Sequence, residues 1–435
     1  MLYTNATIIT VNATRDIISD GALLVSHDTI ADIGQTTDLT SKYPHEATTA
    51  LAGRIIIPGL INTHMHTAQT LLRGAPTTSR SIAEMLKSGT TTFLESMFAD
   101  RYGFEGLCRA VAESGIRGCL GKVVMDGGAY AGEAGWAMHA GLVEDREVSL
   151  GGAVGMFERW EGEAEGRIRV WFGARTPGGV SEALYKEMAA ISREKQIPIT
   201  MHCAEVPADR AFFASRGHTP MSYCSSVGLL GPQTVLVHMV HLDSSDIATL
   251  ADTGTHVVHC PSSNTKLASG ICDVPGLLSA GVNVTLGTDG APCNNTCDLL
   301  QEMRLAGILH KVATMDPTAV PAETVLEMAT VNGAKALGLA SQIGSLEVGK
   351  KADFVVLDMR ALHVQPWFNP VSAVVYTASG RDVEVVVVDG KVVVEGGRLL
   401  RVDEEGVWRE AAVRARQVVE RAGLGREVGA RWRVV

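Results

Sequence analysis

The sequence predicts an α/β fold, a (β/α)8 TIM barrel with a composite β-sandwich built from both chain ends. Three observations predict it. The middle of the chain alternates strand-like and helix-like runs. The two ends share a different texture of short β-branched runs and Gly/Asp turns. The polar residues of the middle collect where its strands end, which in a barrel is the face that carries chemistry. The expected organisation is residues 1–57 as the N-terminal part of the sandwich, 58–342 as the barrel, and 343–435 as the C-terminal part of the sandwich plus a terminal helix.

Taken in order, the N-terminal end holds "ATIITVN", "GALLVSHDTIADIG" and "RIIIP". The C-terminal end answers with "ADFVVLD", "AVVYTASG" and "DVEVVVVDGKVVVEGG", where Asp389-Gly390 between valine runs reads as a hairpin turn. Neither end alone has enough strands for a two-layer core, so both are expected in one domain, followed by a helix at about 404–422. Barrel strands are expected to enter His64 and to run over 89–97, 117–126, 167–175, 198–205, 234–242, 255–264 and 283–290. That makes eight over roughly 290 residues. Helical patterns separate many of them, such as "SEALYKEMAAISREKQ" with Ser181 as N-cap and "DSSDIATLADTG" with Asp243 as cap and Asp246 at N3.

Composition narrows the function. At 46% hydrophobic residues and 46 glycines, the chain fits a large globular α/β enzyme. A net charge of −10 without a Lys/Arg stripe argues against nucleic acid or an anionic membrane as partner. No basic region precedes an apolar block at the N-terminus, and no apolar run approaches bilayer-spanning length. The sequons at Asn5 and Asn12 therefore read as chance matches. Eight cysteines occur without a CxxC pair, and nothing near Cys293 and Cys297 completes a zinc-knuckle spacing. Reduced thiols in a cytoplasmic protein are the expectation.

His64 and His66 flank one residue after an apolar run. On a strand, residues i and i+2 share a face, and two adjacent imidazoles suggest a shared metal ion. The plainer alternative is a pair of strand histidines with unrelated hydrogen bonds. The other strand ends bear on the choice: Arg175 ends strand 4, His202 and Glu205 strand 5, His238 strand 6, His259 strand 7 and Asp289 strand 8. His64, His66, His202 and Asp289 supply three imidazoles and a carboxylate, a set suited to one divalent ion, Zn2+ first and Fe2+ second. A metal lowers the pKa of its water toward about 7, so hydroxide is available at neutral pH. Glu205 is the candidate general base, and His238 a partner of the same water or of the developing oxyanion. His139, His218 and His363 read as surface or core histidines, and His241 and His256 as structural ones. His259 could line the pocket. Glu95 and Asp126 also end barrel strands and are weaker candidates for supporting roles, and Lys266 reads as a loop charge.

"PGLINTHMHTAQTLLRG", "MHCAE", "LVHMVHL", "HCPSSNTKLASG", "VTLGTDGAPCNN" and "IGSLEVGKKADFVVLD" together resemble the amidohydrolase superfamily. More narrowly they resemble its branch of methylthioadenosine/S-adenosylhomocysteine deaminases, guanine and 8-oxoguanine deaminases and triazine hydrolases. The likeness runs in order over nearly the whole chain. It implies a barrel with a composite sandwich, a single metal, hydrolytic deamination and a homodimer. It also implies His64 and His66 as strand-1 ligands, His202 and Asp289 as the remaining ligands, Glu205 as proton shuttle and His238 as the strand-6 catalytic histidine.

The chain departs from that branch twice. Only residues 67–88, 22 in number, separate His66 from Gly89. Relatives carry a longer segment after "TLLRG", with substrate-contacting Trp and Glu residues. Either the lid is shortened here or a stretch between Gly74 and Ser81 is missing from the sequence, and the family-like residues on both sides favour the second. Adenosine-type deaminases usually carry "PHSP" after strand 4, whereas here "ARTPGG" puts Arg175 there. A pocket guanidinium needs an acceptor, so Arg175 is expected to donate to a substrate oxygen and to favour oxo-purines, pterins or acidic heterocycles. The plainer alternative is an internal salt bridge to Glu205, Glu95 or a loop carboxylate. Arg175, Gln69 and Glu205 are the candidate substrate contacts, and Glu205, His238 and Asp289 the candidate catalytic groups.

The expected function is a metal-dependent hydrolytic deaminase releasing ammonia from an amino-substituted heterocycle such as a purine, purine nucleoside or pterin. One alternative keeps the site and changes the bond, to C–Cl or N-alkyl hydrolysis on triazine-like rings. Another class is a non-catalytic metal-binding scaffold, which would have no use for Glu205 and His238 beside four ligands.

Overall fold

The computed structural model describes residues 1–71, 75–127 and 143–423. Eight parallel strands follow one another in chain order: β1 (Leu60–Met65), β2 (Thr90–Phe98), β3 (Arg117–Val124), β4 (Ile168–Ala174), β5 (Ile199–Cys203), β6 (Thr234–His238), β7 (His256–His259) and β8 (Val284–Leu286). The ring closes between β8 and β1 by side chains as well as backbone. Thr63 Oγ1 lies 2.7 Å from Thr285 Oγ1 and donates to the Leu286 carbonyl at 2.8 Å. Asn62 Nδ2 donates to Thr288 Oγ1 at 2.7 Å, and the Asp289 N–H to the His64 carbonyl at 2.9 Å. Glycine is required at this seam, because a Cβ on Gly287 would lie 2.6 Å from that of His64.

Regular pairing stops earlier than the sequence runs suggested, at Cys203, His238 and His259. Ala204 (φ 50°), His238 (φ 74°), Met239 (φ 49°) and Asp289 (φ 61°) take left-handed backbone conformations that break the pleat. These breaks turn the polar residues out of the strands and over the barrel mouth.

Helices alternate with the strands, among them α1 (Ala75–Lys87), α2 (Glu182–Lys195), α3 (Ser244–Thr253), α4 (Pro261–Lys266), α5 (Leu299–Thr314) and the terminal α6 (Glu404–Ala422). Ser181 Oγ accepts from the Leu184 N–H at 3.3 Å, capping α2. Asp243 and Asp246 cap α3 reciprocally, each carboxylate accepting from the other residue's N–H at 3.1 and 3.2 Å.

The chain ends build one mixed nine-stranded sheet. Arg54–Pro58, from the N-terminal end, lies between Leu2–Ile9 (parallel) and Phe354–Asp358 (antiparallel), which is why neither end stands alone. Its alternation sorts the core. Ile56 packs with Tyr3, Ile8, Leu23, Phe354 and Val356 inside the sheet, while Ile55 and Ile57 join Val355 and Leu357 in the larger core shared with the barrel. The sandwich is this single sheet folded over. Strands Ile17–Ser26 and Val383–Val388 are four positions apart in the ladder, about 19 Å in a flat sheet. Yet a Cβ on Gly390 would lie 1.9 Å from the His27 carbonyl oxygen, so the two hairpin tips touch.

One expected strand is a helix. The first half of "AVVYTASG", with its valines, belongs to the helix Pro370–Tyr376. Asn369 Oδ1 accepts from the Ser372 N–H at 3.0 Å, with Pro370 at the first helical position, and these signals outweigh the β-branched valines. All eight cysteines are free thiols, and no helix among the described residues is long and apolar enough to cross a membrane.

Candidate metal centre and active site

His64 and His66 leave the end of β1 on one face, both buried, and meet His202 from β5 and Asp289 from beyond β8. His66 Nε2 and His202 Nε2 are 3.0 Å apart on stacked rings. Asp289 Oδ1 is 3.4 Å from both His64 Nε2 and His66 Nε2. His64, His66 and Asp289 bring one donor atom each within 4.8 Å of one another, and so do His64, His202 and His238. His238 thus also has the geometry of a donor, which the sequence did not signal.

Charge and hydrogen bonding fit a cation here. Both ring nitrogens of His64 and Nδ1 of His202 are buried without a hydrogen-bond partner among the described residues. Burial lowers the pKa of His64, of His202 and of His66, the last to about 3, so the imidazoles are neutral, as ligation requires. Burial opposes charge on Asp289, but the side-chain contact with His64 holds its carboxyl well below the usual range. Three neutral imidazoles and one carboxylate linked by contacts of 3.0 and 3.4 Å, with orphaned nitrogens among them, suit a divalent ion and nothing apolar.

Glu205 and His238 stand beside this cluster, Glu205 Oε2 3.7 Å from His238 Nε2. The backbone N–H of Glu205 donates to Asp209 Oδ2 at 2.7 Å, fixing the turn that carries it. Arg175 joins from the end of β4. Among the described residues its buried Nε has no partner and its guanidinium forms no ion pair. Burial lowers its pKa, opposed by the nearby charges of Glu205 and Asp289. The internal salt bridge considered as the plainer alternative is therefore not made by these residues. Gln69 lies against the residue after Asp289, since a Cβ on Gly290 would be 2.1 Å from Gln69 Oε1.

Other candidates separate into supports and bystanders. Glu95 is buried behind His66: Oε2 accepts from the Thr67 N–H at 2.7 Å and from its hydroxyl at 2.6 Å, and Oε1 faces His66 Nδ1 at 3.9 Å. Burial pushes its carboxyl up to about 8. Asp126 instead binds Ser181, at 2.7 Å to N–H and 2.6 Å to Oγ, and serves the start of α2. His259 pairs with His310 at 3.1 Å between their Nε2 atoms, away from the ligand set. Lys266 donates to the Pro292 carbonyl at 2.7 Å and ties α4 to the segment after β8. His218, His241, His256 and His363 bind Ser222, Ser269, Pro232 and Asp382 respectively. His139 and Gly74 lie outside the described residues.

Three functional neighbours had no sequence signal of their own: Ser263, Asn264 and Glu302. Ser263 Oγ donates to Asp289 Oδ2 at 2.6 Å, and Asn264 Oδ1 accepts from His238 Nδ1 at 3.0 Å. Glu302, pushed up to about 7 by burial, accepts from the Ser262 N–H at 3.1 Å and from Asn294 Nδ2 at 2.8 Å. The quoted "HCPSSN" contains the first two, but nothing in their spacing says what they touch.

Residues 55–393 match the model of the amidohydrolase family. The chain is 36% identical to the 5-methylthioadenosine/S-adenosylhomocysteine deaminase of Syntrophobacter fumaroxidans, covering 96% of this chain and 98% of that one. It is 38% identical to the 5'-deoxyadenosine deaminase of Methanothermobacter thermautotrophicus, covering 92% and 95%. Among solved structures, an adenosine deaminase from Xanthomonas campestris with bound zinc matches at a TM-score of 0.88 and 29% identity, covering 96% of this chain and 98% of that one. Guanine deaminase of E. coli shares the fold, at a TM-score of 0.78 and 24% identity, covering 91% and 99%.

Proposed function

This chain belongs to the amidohydrolase family, and from that premise we propose that it is a metal-dependent hydrolytic deaminase of an amino-substituted nitrogen heterocycle, with purine nucleosides as the first substrate class. One observation carries the reading: at the barrel mouth Asp289 touches His64 and His66, His66 touches His202, and Glu205 and His238 stand 3.7 Å apart beside them. His64, His66, His202 and Asp289 would hold one divalent ion, with Zn2+ the first choice for three nitrogens and one oxygen and Fe2+ the second. When bound, the ion would supply Lewis acidity and bring the pKa of a water near neutrality.

The chain's own groups do the rest. Glu205 accepts one proton from the attacking water and passes it to a ring nitrogen, then takes the second from the new hydroxyl and gives it to the departing amine as the carbonyl forms. His238 and Asp289 accept from the attacking water and align its oxygen with the ring carbon that bears the amine. The C–NH2 bond breaks and ammonia leaves. Arg175 and Gln69 orient the ring, Arg175 by donating to an oxygen acceptor. The names of the relatives favour adenine-type nucleosides, and Arg175 favours ligands that carry such an acceptor. We further propose the barrel at 58–342 as the catalytic domain, a homodimer as the working form and a reducing compartment, in keeping with eight free thiols.

The test is an ammonia-release screen over adenine nucleosides, oxo-purines, pterins and triazines with Zn2+ and Fe2+. Ammonia from at least one amino-heterocycle is expected, whereas chloride or alkylamine release alone would replace deamination by the triazine-type reaction. His64→Ala and Asp289→Ala should each lose bound metal, measured by elemental analysis, together with activity. Full metal occupancy in both variants contradicts the ligand assignment.

A further inference from the structure

Ser263 and Asn264 sit side by side on α4, completely buried, and touch two different members of the site. Ser263 Oγ commits Asp289 Oδ2 at 2.6 Å, which leaves Oδ1, also held by the Gly290 N–H at 2.6 Å, facing His64 and His66. Asn264 Oδ1 is 3.0 Å from His238 Nδ1. An amide oxygen only accepts, so the neutral ring of His238 carries its proton on Nδ1 and keeps its lone pair on Nε2. That nitrogen faces Glu205 Oε2 at 3.7 Å. One donor lying beside two such acceptors can reach both, and a water or a leaving amine is such a donor. α4 is itself anchored, by Ser262 to Glu302 and by Lys266 to the Pro292 carbonyl.

We propose that Ser263 and Asn264 are positioning residues: Ser263 aims Asp289 Oδ1 at the ligand set, and Asn264 locks His238 in the Nδ1–H tautomer with Nε2 open to the reaction centre. Only the kinetic part of this inference rests on the deaminase reading. Supporting groups of this kind typically contribute 10–100-fold to metal affinity or activity.

The experiment uses full-length protein labelled with 15N-histidine, with His238→Gln to assign the resonance. Wild type should show His238 protonated at Nδ1 and bare at Nε2, and Asn264→Leu should lose that bias. In chelator competition with Zn2+, Ser263→Ala should bind metal about 10–100-fold more weakly. With an active substrate, Asn264→Leu should lose about 10–100-fold in kcat with metal content retained, and Asn264→Asp, which keeps the acceptor, should recover most of it. A proton on His238 Nε2 in wild type overturns the tautomer lock. Unchanged Zn2+ affinity in folded Ser263→Ala overturns the carboxylate role. If Asn264→Leu does not fold, the wild-type spectrum decides alone, and the spectrum and Zn2+ arms stand even if no substrate is turned over.

Discussion

The two ends of the barrel treat buried charged and titratable groups in opposite ways. At the base, where strands begin, Arg117 is almost fully buried and fully paired, Nε donating to Asp353 Oδ2 at 3.2 Å and Nη2 lying 3.4 Å from Asp389 Oδ1. Lys351 adds a further pair to Asp389 at 3.2 Å. At the mouth, His64, His202 Nδ1, Glu95 Oε1, Arg175 Nε and Asn264 Nδ2 are buried with no hydrogen-bond partner among the described residues. An unpaired buried polar atom costs about 1–3 kcal/mol, so a folded chain that carries several in one place is keeping them for a ligand. The base locks the barrel to the folded sheet, whereas the mouth keeps donors and acceptors open.

The largest effect expected from this contrast is at Arg175, whose unpaired guanidinium would reject a ligand lacking an acceptor by up to about 10⁴–10⁵. kcat/KM for matched amino-heterocycles with and without an oxygen substituent measures it. Arg175→His should lose the preference and gain activity on adenine nucleosides. If wild type prefers methylthioadenosine or S-adenosylhomocysteine and the substitution leaves that preference unchanged, Arg175 is structural. Next comes Glu205→Gln, which keeps shape and removes the base: metal should remain while kcat falls by about 10²–10⁴. An active variant would move the proton to another group.

At the base the reverse pattern should hold. Arg117→Ala leaves Asp353 and Asp389 buried without their partner and should cost about 3–5 kcal/mol in urea unfolding, with Zn2+ affinity of the folded fraction unchanged. A loss below about 1 kcal/mol would mean that the base network contributes like an exposed pair.

The smallest expected effect lies between the two regions, at Glu302. Burial raises its carboxyl from 4.5 to about 7, so the folded state holds a proton that the unfolded chain releases. The unfolded state binds fewer protons across this window, and stability therefore falls as pH rises from about 4.5 to about 7, then levels off. The fall attributable to this group is about 3 kcal/mol at most. Glu302→Gln, compared with wild type by urea midpoints at pH 5 and pH 8, should flatten it. An unchanged slope would assign the pH dependence elsewhere.

Much of this was legible in the chain itself, because it depends on neighbours in sequence. The i, i+2 spacing of His64 and His66 follows from strand geometry, the Asp389-Gly390 turn from two positive φ values (53° and 72°), and the caps Ser181 and Asp243 from their place before apolar periodicity. The same local rules misread "AVVYTASG", where β-branched composition and a helix cap compete and Asn369-Pro370 prevails.

What tertiary structure alone decided are partnerships across long sequence separations. Arg117 meets Asp353 236 residues away, and Asn62 meets Thr288 226 residues away. His238 acquires its tautomer from Asn264, and Asp289 its orientation from Ser263, because closing the barrel brings β6, β7 and β8 to one rim. Hydrophobic period and turn chemistry are written in adjacent residues. The protonation and aim of a buried group depend on whichever atoms the fold brings within about 3 Å of it, where a buried hydrogen bond or charge outweighs local preference.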